Sequence, residues 1–171
     1  PRFVSDEKAV SFVKEFKGQL RFAGVFVDAT VEKMVNKVKT VSLDYLQLHG
    51  NESIDTIKAL KSLLPDTGII KAFNIKELSD FVKVDKYLPF VDLIILASSN
   101  PGPGISFDWN LIPDSLDKSK CLLSGGIGPD NVEKALNYGF AGLDLNSKLE
   151  KSKGIKDVEL INKTFKLINN Y

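Results

Sequence analysis

Several residue types are scarce in this 171-residue chain, and each scarcity excludes a class of function. Its one cysteine, Cys121, rules out an internal disulfide and a cysteine-rich metal site. Lys and Arg number 23 against 22 Asp and Glu, so the net charge is +1 and there is no electrostatic footprint for nucleic acid. No apolar run approaches the ~20 residues of a membrane-spanning helix. We therefore expect one globular domain, over residues 1–171, that binds neither nucleic acid nor membrane.

Six short apolar runs rich in Val, Ile, Leu and Phe alternate with longer amphipathic stretches. These runs cover residues 21–28, 45–50, 69–74, 93–98, 121–126 and 142–147. Each has the length of a strand and is almost continuously apolar, which predicts strands covered on both faces. Alternation with helices predicts a parallel α/β sheet, either doubly wound or closed as a (β/α) barrel. No glycine-rich dinucleotide motif follows the first run, and this favours the barrel.

Helical patterns fill the stretches between these runs. The first begins after Ser5 as N-cap, and its predicted buried stripe is Val10, Phe12, Val13 and Phe16. Further helices are predicted after Thr30, over residues 52–64 and 75–87, from Pro129, and over residues 157–168. A weaker pattern over residues 109–116 is interrupted by Pro113.

Chemistry in parallel α/β proteins collects at the carboxyl ends of the strands. The polar residues and glycines there are Asp28, Gln47, His49, Lys71, Asn74, Ser98, Ser99, Ser124, Gly125, Gly126, Asp144, Asn146 and Ser147. The segment 124–131, which reads SGGIGPDN, takes a strand through two glycines into a helix, and such a turn favours anion binding. Asn146 and Ser147 end the next strand and add donors, so the pattern predicts a phosphate site. The alternative is that the glycines only form a tight turn.

Other single residues leave alternatives open. His49, the only histidine, is either a ligand contact or acid/base group or a structural hydrogen-bonding residue. Lys71 is either a catalytic amine with a shifted pKa or half of an ion pair. Cys121 begins its strand and is interpreted as a small core residue, and Trp109 as a residue that packs the preceding glycine-proline loop.

Several motifs fall in one order along the chain: Gln47-Leu48-His49-Gly50 with Glu52, then Phe107-Asp108-Trp109, then Gly125-Gly126 with Pro129 and Asn131-Val132. This order resembles the N-(5′-phosphoribosyl)anthranilate isomerase family of tryptophan biosynthesis. The resemblance implies a cytoplasmic (β/α)8 barrel without metal or organic cofactor. It also implies an Amadori rearrangement, in which an acid protonates the ribose ring oxygen and a base removes the proton from C2.

The resemblance also implies roles for individual residues. Arg2 would contact the anthranilate carboxylate, and Gln47 and His49 would line the substrate site. The phosphate would be held by Gly125, Gly126, Asn146 and Ser147. The family's catalytic base, a cysteine in a K-x-C-G motif, has no counterpart in this sequence, and the position of its acid falls at Ala97 or Ser98, neither of which carries a carboxyl group.

By the same resemblance, the six predicted strands correspond to strands 3–8 of the barrel. We expect the sequence to lack roughly the first 35 residues of the domain, with strand 1, helix 1 and strand 2. A phosphorylated small molecule is the expected ligand, and the expected assembly is a monomer or a homodimer. Two alternatives are a catalytically impaired homologue that binds a phosphorylated ligand or a protein partner without turnover, and another phosphate-binding barrel such as indole-3-glycerol phosphate synthase.

Overall fold

A computed structural model describes residues 3–98 and 106–171. Six parallel strands form one sheet in chain order: β1 (Ala23–Phe26), β2 (Tyr45–Leu48), β3 (Gly68–Ile75), β4 (Leu93–Ser98), β5 (Cys121–Leu123) and β6 (Gly142–Leu143). The helices are α1 (Asp6–Glu15), α2 (Val31–Val41), α3 (Ile54–Leu63), α4 (Asp80–Tyr87), α5 (Val132–Leu136) and α6 (Val158–Asn169). The prediction of six parallel strands is confirmed, and a helix separates each successive pair except β4 and β5, between which the described residues form only 3-10 turns. None of the described helices is long and apolar enough to cross a membrane.

One compact unit comprises residues 3–72 and 87–93. In it β1 pairs with β2, which pairs with β3, both in parallel register, with Gln47 opposite Val25 and Ile70. Helices α2 and α3 turn an apolar face inward. The core residues with no exposed surface are Met34, Leu46, Leu48, Ile57 and Leu60.

Burial on both faces was predicted for every strand, and this is wrong for β1. Phe26 is buried, whereas Val25 and Val27 are 61% and 66% exposed. Successive side chains of a strand point to opposite faces, and among the described residues nothing covers the face that carries the two valines.

The predicted buried stripe of the first helix is also wrong. Ser5 caps α1 as expected, its Oγ accepting a hydrogen bond from the backbone N of Lys8. However, no residue of α1 is buried, and Phe12 is 41% exposed. The helix lies against α2, where Lys37 pairs with Asp6, and this one-sided contact leaves its apolar side chains partly open.

The second compact unit comprises residues 73–86, 94–98 and 106–171 of the described chain. Here β4 pairs with β5 and β5 with β6, again in parallel. The predicted helix over 109–116 is only a single 3-10 turn, Trp109–Leu111, as the interruption by Pro113 suggests. An unpredicted antiparallel hairpin, β7 (Glu150–Ser152) and β8 (Ile155–Lys156), precedes α6.

Candidate active site

A buried carboxylate organises the carboxyl ends of the first two strands. Glu52 follows β2 and is only 5% exposed. Its Oε1 accepts a hydrogen bond from the backbone N of Asp28, after β1, at 3.0 Å. Both carboxylate oxygens also accept from the backbone N of Gly50, at 3.2 and 3.1 Å. One side chain therefore joins the two loops in which these strands end.

Lys71 of β3 supplies the countercharge. Its Nζ lies 3.3 Å from Oε2 of Glu52, and both side chains are almost fully buried. The same ammonium group donates to the carbonyl oxygens of Gly50 at 2.8 Å, Ala72 at 3.2 Å and Leu48 at 3.3 Å. Burial lowers the pKa of Lys71, and the negative charge of Glu52 opposes that shift. Of the two interpretations of Lys71, the structure supports the ion pair.

Asp28 and Gly50 fit each other closely. Asp28 has a φ of +48°, uncommon for a residue with a side chain. Its Oδ1 accepts a hydrogen bond from the backbone N of Asn51 at 2.6 Å. A Cβ at position 50 would collide with the Asp28 carboxylate and backbone N, so this loop requires glycine there. Together Asp28, Gly50, Asn51, Glu52 and Lys71 form what we call the strand-end cluster.

The predicted contacts Gln47 and His49 lie at the end of β2, directly before the loop that this cluster holds. They are two residues apart at the end of β2, which places them on the same side of the strand. Both are half-buried, and the backbone N of His49 donates to the carbonyl of Phe26 at 2.8 Å. The sequence-based reasoning missed Glu52 and Asn51 as the residues that hold this segment. Glycine after a strand, followed by a carboxylate two residues later, was the available signal.

In the second unit, β5 ends in the predicted glycine turn. Gly125 and Gly126 have φ values of +95° and +63°, which favour glycine. A Cβ on Gly125 would lie 3.1 Å from both the backbone N and the Cβ of Ser98, at the end of β4. The backbone of Gly125 therefore lies so close to the end of β4 that a side chain at this position would crowd Ser98.

The expected helix start at Pro129 is wrong, because α5 begins only at Val132 and has five residues. The side chain of Asn131 holds the preceding turn instead. Its Oδ1 accepts from the backbone N of Gly128 at 2.9 Å, and its Nδ2 donates to the carbonyl of Gly126 at 3.0 Å. Any anion-binding capacity here belongs to the backbone of the glycine turn and not to a long helix dipole.

The end of β6 lies beside that turn. Ser124 donates to Oδ2 of Asp144 at 2.7 Å, and a Cβ on Gly128 would come 2.8 Å from the Cβ of Lys148. The predicted contacts Asn146 and Ser147 therefore stand next to the glycine turn. β6 is shorter than expected, since the backbone leaves the sheet after Leu143 and Ser147 begins a 3-10 turn.

The hairpin orients Asn146. Nζ of Lys156, in β8, donates to the carbonyl oxygen of Asn146 at 2.8 Å and to its Oδ1 at 2.7 Å. The same Nζ lies 3.2 Å from Oε1 of Glu150. The amide oxygen of Asn146 is thereby engaged.

The remaining predicted positions have varied outcomes. Arg2 lies outside the described residues, as do Ser99 and the glycine-proline loop. Ala97 and Ser98 end β4, both half-buried. Cys121 is fully buried at the start of β5, and desolvation raises its pKa to about 12, as suits a core residue. Trp109 is buried and meets the ring of Tyr138 edge-on, with ring centroids 5.5 Å apart.

A separate cavity of about 450 Å³ lies at the amino ends of the first unit's strands. Two of its lining carboxylates already accept backbone hydrogen bonds: Asp44 from Phe22 and Asp92 from Ile69, each at 2.7 Å. The cavity is at the opposite end of the strands from Gln47 and His49. In the described part of the chain, no group of three or more His, Cys, Asp or Glu residues is placed to hold a metal ion.

Parallel strands whose carboxyl ends carry polar residues and a glycine turn define a parallel α/β class of protein with its candidate site at those strand ends. Residues 1–167 match the profile of the N-(5'phosphoribosyl)anthranilate (PRA) isomerase family. The chain belongs to that family, as the sequence resemblance predicted.

Similar proteins agree with this assignment. An N-(5'-phosphoribosyl)anthranilate isomerase from Parabacteroides distasonis is 42% identical over 80% of this chain, and the match spans 63% of that relative. A phosphoribosyl anthranilate isomerase solved with reduced 1-(o-carboxyphenylamino)-1-deoxyribulose 5-phosphate is 28% identical, with a TM-score of 0.83 over 99% of this chain and 81% of the other. A structure of monomers generated from the dimeric enzyme of Thermotoga maritima is 27% identical, also with a TM-score of 0.83, over 99% and 81% of the two chains. The expected barrel-family fold is thereby confirmed.

Proposed function

We propose that the protein containing this chain is an aldose–ketose isomerase. It converts N-(5'-phosphoribosyl)anthranilate to 1-(2-carboxyphenylamino)-1-deoxyribulose 5-phosphate in tryptophan biosynthesis. The observation that carries the proposal is the family match over residues 1–167, which includes both polar strand-end regions. A solved relative, 28% identical, is described in complex with a reduced form of that product.

The phosphate of the substrate is assigned to the second unit. Gly125 and Gly126 expose backbone along a turn that no Cβ obstructs, and backbone N–H groups in such turns bind anions. Asn146 and Ser147 stand next to that turn. We therefore propose Gly125, Gly126, Asn146 and Ser147 as phosphate contacts.

Substrate contacts in the first unit are assigned to Gln47 and His49. Both side chains lie on one side of β2, and the loop behind them is fixed by the buried carboxylate of Glu52. The resemblance adds Arg2 as a contact of the anthranilate carboxylate. Location in the cytoplasm likewise stays a prediction from the resemblance.

The chemistry requires a proton donor for the ring oxygen and an acceptor for the C2 proton, and the family's acid position falls at Ala97 or Ser98. A fluorescence assay of phosphoribosylanthranilate consumption by the whole protein tests the activity. We expect turnover, and we expect Gln47→Leu and His49→Gln to lower kcat/KM, whereas Lys61→Ala, at the amino end of the strands, does not.

Absence of turnover with binding of the reduced product analogue retained would overturn the isomerase proposal. That result would instead favour the catalytically impaired homologue, and gain of activity in Ala97→Asp would support it.

The assembly is proposed to be a monomer or a homodimer, since a relative is described as dimeric. Light scattering of the whole protein distinguishes the two.

A further inference from the structure

The Glu52–Lys71 pair is placed where it can act on the substrate contacts of the proposed function without touching the substrate. The two charges neutralise each other in an almost fully buried position. The pair also binds backbone: two N–H groups donate to the carboxylate, and three carbonyl groups accept from the ammonium. The pair is thus a support for the main chain.

The main-chain groups that it holds flank His49. Leu48 and Gly50, the residues before and after His49, both offer their carbonyl oxygens to Nζ of Lys71. The backbone N of Gly50 also donates to the carboxylate of Glu52. Because the peptide groups on both sides of His49 are fixed to buried charges, the direction in which its side chain leaves the strand is fixed too.

Stability alone does not explain the use of charges here. A buried ion pair commonly adds little to stability compared with apolar side chains of the same volume. In contrast, a group of directed acceptors and donors defines the positions of five main-chain atoms to within hydrogen-bond tolerance. Such precision serves a site in which a misplacement of about 1 Å can cost about 100-fold in rate.

We propose that Glu52, with Lys71, is a positioning residue of the reaction: it sets the orientation of His49 at the end of β2. This inference rests on the proposed function for its kinetic consequence. Its geometric content, that His49 moves when Glu52 is changed, stands independently and can be measured in the absence of substrate.

The test compares Glu52→Gln with Lys61→Ala in the whole protein. Lys61 forms an exposed ion pair with Asp92 at the amino end of the strands, at 3.1 Å, and serves as the matched control. The imidazole signals of His49 are recorded by NMR for each protein. They are assigned by their absence from the spectrum of His49→Gln. Melting temperature, kcat, KM and the Kd of the reduced product analogue are measured alongside.

In Glu52→Gln we expect the imidazole signals of His49 to shift and kcat/KM to fall by about 100-fold. Lys61→Ala should leave both unchanged. Unshifted His49 signals with parental kcat/KM in a folded Glu52→Gln protein would overturn the proposal. If the parent protein neither binds the analogue nor turns over substrate, the proposed function fails, and the NMR comparison still decides the positioning role.

A double variant, Glu52→Gln with Lys71→Met, keeps the proposal testable if the single variant unfolds. It leaves no uncompensated buried charge, so we expect a higher melting temperature than for Glu52→Gln alone. The His49 signals should nevertheless stay shifted and kcat/KM should stay low, because the acceptor and donor directions are lost. Recovery of stability together with the parental signals and kcat/KM would show a purely structural pair and overturn the proposal.

Discussion

At the scale of single residues, Gly125 combines two reasons to exclude a side chain. Its φ of +95° strains any other residue, and a Cβ would lie 3.1 Å from backbone of Ser98. Gly139 is a suitable comparison, since it also has a positive φ, +69°, but nothing lies within 4 Å of a Cβ built there.

We expect Gly139→Ala to cost about 1 kcal/mol of unfolding free energy, from backbone strain alone. Gly125→Ala should cost roughly 3 kcal/mol, since the strand end of β4 must also give way. It should also weaken binding of the phosphorylated product analogue, which Gly139→Ala leaves unchanged. Urea denaturation and calorimetric titration measure the two effects. Equal effects of the two substitutions would contradict the close approach of the turn to Ser98.

The buried thiol of Cys121 gives a pH-dependent contribution to stability. Its pKa is raised from 9.0 to about 12 because burial disfavours the thiolate, with Asp117 adding repulsion. A thiol with a raised pKa stays protonated in the folded state while the unfolded state ionises. The stabilising contribution is therefore complete below about pH 9 and is lost progressively as the pH rises toward 12.

We expect the stability advantage of the parent over Cys121→Ala to be constant from pH 6 to about pH 8 and to shrink above about pH 9. Denaturant melts of both proteins across this range give the difference directly, and other titrating groups cancel in it. A constant advantage up to pH 11 would show that the thiol ionises in the folded protein. The cavity left by the smaller side chain sets the advantage at neutral pH.

At the scale of elements, the β7–β8 hairpin positions Asn146 through one lysine, Lys156. Lys156 reaches the carbonyl and Oδ1 of Asn146, a proposed phosphate contact. In Lys156→Met we expect about tenfold weaker binding of the reduced product analogue, the loss of one or two hydrogen bonds to a charged group. Lys151→Met, on the exposed side of the same hairpin, should bind like the parent. Isothermal titration calorimetry measures the Kd of the analogue for both variants. Equal Kd values would show that Asn146 does not contribute to binding of the ligand.

The elements also show what the sequence could and could not predict. Strands β2, β3 and β4 follow from continuous apolar runs, and α6 from the Asp157 cap followed by an amphipathic pattern. The start of α5 could not be predicted from the sequence. The residues before it resemble the start of a helix, but the hydrogen bonds of Asn131 to Gly126 and Gly128 form a turn there. The β7–β8 hairpin was not predicted, because its strands of three and two residues show no alternation of apolar and polar side chains.

Part of the candidate site could likewise be predicted from the sequence. The rule that functional residues lie at the carboxyl ends of strands depends on chain direction alone, and it led to the proposed contacts Gln47, His49, Gly125 and Gly126. The Glu52–Lys71 pair was not foreseen as a unit, because its partners are main-chain groups of β3 and of the loops that follow β1 and β2. Contacts between side chains and distant backbone leave no periodic signature in a single sequence.

At the scale of the whole molecule, the exposed face of β1 is an apolar surface on the 171-residue chain. Val25 and Val27 stand on one strand face and are more than half exposed. Adjacent exposed apolar side chains on a strand favour association between chains. Val82 on α4 is similarly exposed, at 72%, but lies on a helix surface.

We therefore expect the 171-residue chain to self-associate as its concentration is raised, and the Val25→Thr/Val27→Thr double variant to do so less. Threonine keeps the β-branched shape that suits a strand, so the far-ultraviolet circular dichroism should not change. Val82→Thr should leave self-association at the parental level, because a single exposed valine on a helix offers no strand pairing. Dynamic light scattering over a concentration series compares the three proteins. Equal association of the parent and the double variant would show that this face is not where chains meet.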